Sequence, residues 1–140
     1  MPVMEKKKLL KEIKINCILK SREYTKRYKK LKRIDQAIDL TVSFLNSCNL
    51  ALLLTGLSFQ PVWIGCIVCS SGALILSRLQ QTYNLKHKYN SHNNTILYYN
   101  DISREIITVL HKNHLTNEQL EDFIEYINGK LALIEDNEII

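Results

Sequence analysis

Between positions 40 and 77 there is no charged residue, an interval of 38 residues. A soluble domain rarely goes so long without one, because its amphipathic helices need a polar face. Proline and glycine are scarce as well, with two and four copies, which leaves few points at which a helix must stop. The cysteines number four. Cys17 stands apart, and Cys48, Cys66 and Cys69 fall in the uncharged interval, a spacing that excludes the disulfide framework of a small secreted domain. No small-x-small site follows a short apolar run near the start, so a cleaved secretory leader is not expected. Glycine-rich phosphate loops, GxSxG elbows and HExxH pairs are missing, and no catalytic constellation takes their place. The expectation is a non-enzymatic protein without a cofactor or metal.

The charges that are present fall into blocks. Residues 1–39 hold 13 Lys and Arg against 5 Asp and Glu, whereas residues 96–140 hold 3 against 9. Arg78, Lys86 and Lys88 lie between. A basic arm (1–39), an uncharged middle (40–77) and a C-terminal part with an acidic tail (78–140) follow from this partition.

Gln60–Pro61 divides the middle, since proline disfavours helix in the residues just before it. Residues 40–59, about 30 Å as a helix, match the hydrocarbon thickness of a bilayer. Their ten strongly apolar residues favour insertion by about 3–6 kcal/mol, against the cost of Asn46 and Asn49. Residues 62–77 form a shorter second span of about 24 Å, which Arg78 extends by snorkelling. Trp63, beside the turn, suits an interfacial aromatic. Asn46, Asn49, Leu53 and Gly56 repeat at helical spacing, as do Gly65, Cys69, Gly72 and Ala73. Small residues allow backbones to approach, and amides bond across the contact. These are candidate facing surfaces of the two spans, of a homo-oligomer or of a pore. A soluble buried helix pair accounts for the same spacing.

Lys26, Arg27, Lys29, Lys30, Lys32 and Arg33 precede the first span, and Arg78 follows the second. Such flanks put both termini on the cytoplasmic side and offer contacts to anionic lipid headgroups. Nucleic acid is the weaker partner for this cluster, as no reading motif accompanies it. Asn93-Asn94-Thr95 matches a glycosylation acceptor, which would report on that topology.

The arm itself reads as an amphipathic helix, with Leu10, Ile13 and Cys17, then Tyr24, Tyr28, Leu31, Ile34 and Ile38, at helical spacing. The second span is expected to continue to Tyr89, with a break at Ser91–Asn94 and a helix over Thr95–Lys112. Thr116 and Gln119 have the spacing of a capping box, and Leu120, Phe123, Ile124, Ile127, Leu131 and Ile134 give the last helix an apolar face. The basic arm and acidic tail invite pairing, driven by their apolar stripes and oriented by charge. Cys66-Ile67-Val68-Cys69 has CxxC spacing but no second ligand pair, and reads as two buried small residues. His111 and His114, with Asp101 and Glu105 upstream, read as surface groups near a helix C-terminus. Tyr98 and Tyr99 read as packing or interface residues.

The order of elements, with Tyr28-Lys29-Lys30-Leu31-Lys32-Arg33 before the first span, the turn at Gln60–Pro61, and Leu115-Thr116-Asn117-Glu118-Gln119-Leu120 through Ile134-Glu135, resembles the two-transmembrane SLATT-like proteins. More narrowly it is similar to small two-span proteins of Polinton-type elements and large DNA viruses. The likeness covers about residues 24–140, and the chain departs from the element-encoded proteins in lacking their longer glycine-proline-rich turn. The spans and their flanks together predict an all-α fold, a two-span transmembrane hairpin whose flanking amphipathic helices form a cytoplasmic bundle. The resemblance implies a membrane or virion component, with viral or host membrane proteins as partners, or a pore-forming effector. A soluble helical adaptor that grips a partner through its basic arm is the third expectation.

Overall fold

Pro2 and Gly56 are the first helix breakers met from either end of a long breaker-free stretch. The computed structural model, which describes residues 2–55 and 60–138, fills that stretch with a single helix, α1 (Val3–Thr55). The Pro2 carbonyl accepts from the amides of Glu5 at 3.1 Å and Lys6 at 3.2 Å, which starts the helix. Three more helices follow: α2 (Gln60–Tyr83), α3 (Leu85–Leu110) and α4 (Asn117–Glu138). The fold is all-α, with no strand among the described residues.

Several expected boundaries are corrected. The basic arm and the first span are one helix, because nothing between them interrupts the backbone ladder. Gln60 and Pro61 open α2 rather than forming the connection. Proline is tolerated there, since first-turn amides have no intrahelical acceptor. The connection itself, with Gly56 and Phe59, lies outside the described residues. No break occurs at Ser91–Asn94, which are helical within α3; Thr95 Oγ1 donates to the Ser91 carbonyl at 3.1 Å. The interruption comes earlier, at Asn84, whose φ of 47° is left-handed. Asparagine is among the few non-glycine residues that adopt this conformation at modest cost. The expected helical continuation to Tyr89 is therefore split between α2 and α3.

The chain divides into two compact units, residues 1–27 with 91–140 and residues 28–90. The first has a conventional core. Leu10 and Cys17 of α1, Tyr99, Ile102 and Ile106 of α3, and Leu120, Ile127 and Ile134 of α4 are buried together. Burying each large side chain stabilises the unit by about 1.5–3 kcal/mol. Tyr24 stacks on Tyr99 at 6.1 Å between ring centres and tilts against His92 at 5.4 Å. Ser21 donates to Asn100 Oδ1 at 2.8 Å.

Charge adds direction to this packing. The Lys6 ammonium, 6% exposed, reaches Glu121 at 3.1 Å and the Asn117 carbonyl at 3.3 Å. Lys20 meets Glu135 at 3.5 Å. Lys130 donates to Glu105 at 2.8 Å, and that bond, helped by the neighbouring Tyr126, raises the lysine pKa. Most other charges remain on the surface, so apolar contact carries the assembly and a few ion pairs orient it. Thr116 and Gln119 form the anticipated capping box: each backbone amide donates to the other's side chain, at 3.1 and 3.3 Å.

Burial pushes the Cys17 thiol pKa upward, only partly opposed by Lys20. Little reactive thiolate is then present near neutral pH. Brief alkylation of the full chain at pH 7.5, read by mass spectrometry, is expected to leave Cys17 unmodified until denaturant is added. Rapid modification of Cys17 in the folded chain would show that the core is not closed around it.

Candidate functional site

The second unit inverts the pattern of the first. Its described residues bury only Asp35, Ala73 and Leu85. Its large apolar side chains face outward instead: Phe44 is 67% exposed, Leu54 80%, Ile64 62% and Val68 62%. Two helical stretches, within Val3–Thr55 and Gln60–Leu110, are long and apolar enough to cross a membrane. Of their 18-residue apolar windows, 0% and 6% are buried. A core helix of a water-soluble protein would be mostly buried.

Contacts join the two uncharged stretches in one register. Leu45 lies against Gly72, Asn49 donates to Ser70 Oγ at 3.0 Å, and Leu52 lies against Gly65. Further along, the Gln80 amide nitrogen donates to Asp35 at 2.5 Å and to Asp39 at 2.8 Å. As numbers rise on α1 they fall on α2, so the stretches run in opposite directions. A Cβ on Gly65 would stand 2.9 Å from Leu52 Cδ1, and one on Gly72 would stand 3.3 Å from Leu45 Cδ1. The two glycines thus sit where the helices come close, as small residues do in membrane helix pairs.

The sequence-derived candidates separate by position. Asn49, Gly65, Cys69 and Gly72 are half-buried along the contact, whereas Asn46 is exposed. Gly56 lies outside the described residues. Asn49 Oδ1 is buried without a hydrogen-bond partner among the described residues, a cost borne inside the contact. Cys66 is half-buried too, and with Cys48 and Cys69 it is a free thiol. The Asp35–Gln80–Asp39 bridge was not foreseen. Its signal in the sequence is an i, i+4 acidic pair just before the uncharged interval and a lone amide just after it. Such a pair repels on a helix unless a donor offsets the charge.

Lys26, Arg27, Lys29, Lys30, Arg33 and Arg78 are exposed, and Lys32 is half-buried. Arg27 pairs with Glu23 at 2.6 Å, and Lys32 bonds the Tyr28 hydroxyl at 3.2 Å. Within the second unit, Tyr28 meets Tyr89 edge-on at 5.8 Å. Exposed Lys29, Lys30 and Arg33 therefore share one end of the unit with Lys86 and Lys88, and the end holding Thr55 and Gln60 has no charge.

The histidines His111 and His114 are exposed. His111 Nδ1 lies 2.7 Å from the Ile107 carbonyl, where it caps α3. Among the described residues no three His, Cys, Asp or Glu side chains are grouped to hold a metal ion. Tyr99 is fully buried, whereas exposed Tyr98 lines an open groove of about 520 Å³ between α3 and α4, with Arg104, Lys130 and Leu133. The chain matches no protein-family model, and neither a curated protein nor a solved structure matches it.

Two predictions follow from this geometry. Gln80→Leu strips the donor from a carboxylate that is 3% exposed, and is expected to cost about 1–3 kcal/mol or more. Denaturant midpoints of the full chain would measure it; an unchanged midpoint would remove the bridge from the account. The register also sets Cys48 level with Cys69. In a Cys17→Ser, Cys66→Ser chain, a short bifunctional thiol reagent is expected to join them within one molecule, and failure at full labelling would contradict the register.

Proposed function

We propose that the protein is a non-enzymatic integral membrane component whose second unit is a two-span helical hairpin. Its first unit is a helical bundle held at the cytoplasmic face. The observation that carries this reading is the exposure of the apolar windows, 0% and 6% buried, in a chain that elsewhere buries its apolar residues normally. In water each exposed large side chain forgoes about 1.5–3 kcal/mol, a loss that hydrocarbon removes.

Orientation rests on the gathering of exposed lysines and arginines at one end of the second unit. Positive flanks stay on the cytoplasmic side, and on this reading both termini lie there. Lys29, Lys30, Arg33, Arg78, Lys86 and Lys88 would then lie at the level of anionic headgroups, each attracted by about 1 kcal/mol. Trp63, 57% exposed near the uncharged end, suits the opposite interface. The layout-level likeness to SLATT-like and virus-encoded two-span proteins is compatible with this placement, and we carry the membrane or virion component as the role. The soluble adaptor is disfavoured, since it leaves the same apolar surface in water.

The test is synthesis of the full chain with microsomes, followed by extraction at alkaline pH. The protein is expected to stay in the pellet and to gain no glycan at Asn93, which would remain on the cytoplasmic side. Recovery in the supernatant would sink the membrane placement, and glycosylation at Asn93 would reverse the orientation.

A further inference from the structure

Three polar side chains of the uncharged part of α1 are provided for locally. Thr41 donates to the Ala37 carbonyl at 2.8 Å, Ser47 to Ser43 at 2.9 Å, and Thr55 to Leu52 at 3.0 Å. Asn49 donates to Ser70. Asn46 is different. It is exposed and makes no side-chain hydrogen bond among the described residues, although its amide offers two donors and an acceptor. It stands one turn before Asn49, on the same side of the helix, beside the flank where α1 meets α2.

We infer that a second copy of this chain docks along that flank, the two copies meeting amide to amide at Asn46. The inference rests on the membrane placement proposed above. An amide facing hydrocarbon without a partner is costly, and water is excluded at that depth. Asn46 lies about 9 Å along the axis from Leu40, beyond the reach of so short a side chain to a headgroup.

The chemistry selects the occupant. A primary amide both donates and accepts, so an identical residue satisfies it, and a two-fold pair brings the same patch against itself. The uncharged interval presents no charge that would favour an unlike partner. Parallel copies inserted in one orientation hold Asn46 at equal depth. Leu50 and Leu53, 61% and 44% exposed and one and two turns further on, supply apolar contact beside the amides, while exposed Ser43 precedes them by a turn.

The test uses full-length chains labelled at the amino terminus with donor or acceptor dyes and reconstituted in phosphatidylcholine vesicles at falling protein-to-lipid ratio. Energy transfer is expected to exceed that of randomly distributed chains. Asn46→Leu, which inserts more readily, is expected to weaken association roughly three- to thirtyfold, the span of measured interhelical hydrogen bonds. Asn46→Gln, which keeps the amide, is expected to retain most of it. Vesicle-bound chains with only random transfer, or Asn46→Leu associating as tightly as the parent, would overturn the inference while leaving the membrane placement intact. Chains that fail to float with vesicles would overturn both.

Discussion

Most large apolar side chains described in the uncharged stretches face away from their helix contact, and the remaining features of the chain depend on what medium receives them. A helix satisfies its own backbone hydrogen bonds, which makes it one of the few structures that survive where water is absent. The same helices in water would leave Phe44, Leu54, Ile64 and Val68 facing solvent. The first unit shows the contrast within one chain. There the outward faces of α1 and α4 carry lysine and glutamate, and Leu10, Tyr99, Ile106 and Ile127 are fully buried.

Several polar groups of the second unit lie along its helix contact. Gly65 and Gly72 permit close approach, Asn49 and Ser70 bond across it, and Gln80 holds two carboxylates that would otherwise repel. A charged or amide group is tolerated near an apolar medium only when it is bonded, so these contacts act on specificity of pairing more than on its bulk energy. In the proposed placement the same rule singles out Asn46.

Much of the local structure is legible in the sequence. The capping box at Thr116–Gln119, the apolar face of α4 and the all-helical class follow from spacing and side-chain chemistry over a few residues. The element boundaries were harder. Asn84 carries no stronger breaking signal than Asn90 or Asn94, yet the left-handed conformation falls at Asn84. Pro61 marks a helix start as readily as a turn, because it has no amide to satisfy in either place.

The sequence alone determined the helical class, the uncharged interval and the partition of charge, since each is a property of the residues in order along the chain. Pairing of Lys6 with Glu121, the Gln80 bridge to Asp35 and Asp39, and the division of the amides into a bonded Asn49 and an exposed Asn46 were decided only by tertiary structure. These join positions dozens of residues apart or depend on the angle at which one helix meets another. Spacing along a helix names the face a residue occupies; it does not say which other helix, if any, that face will meet.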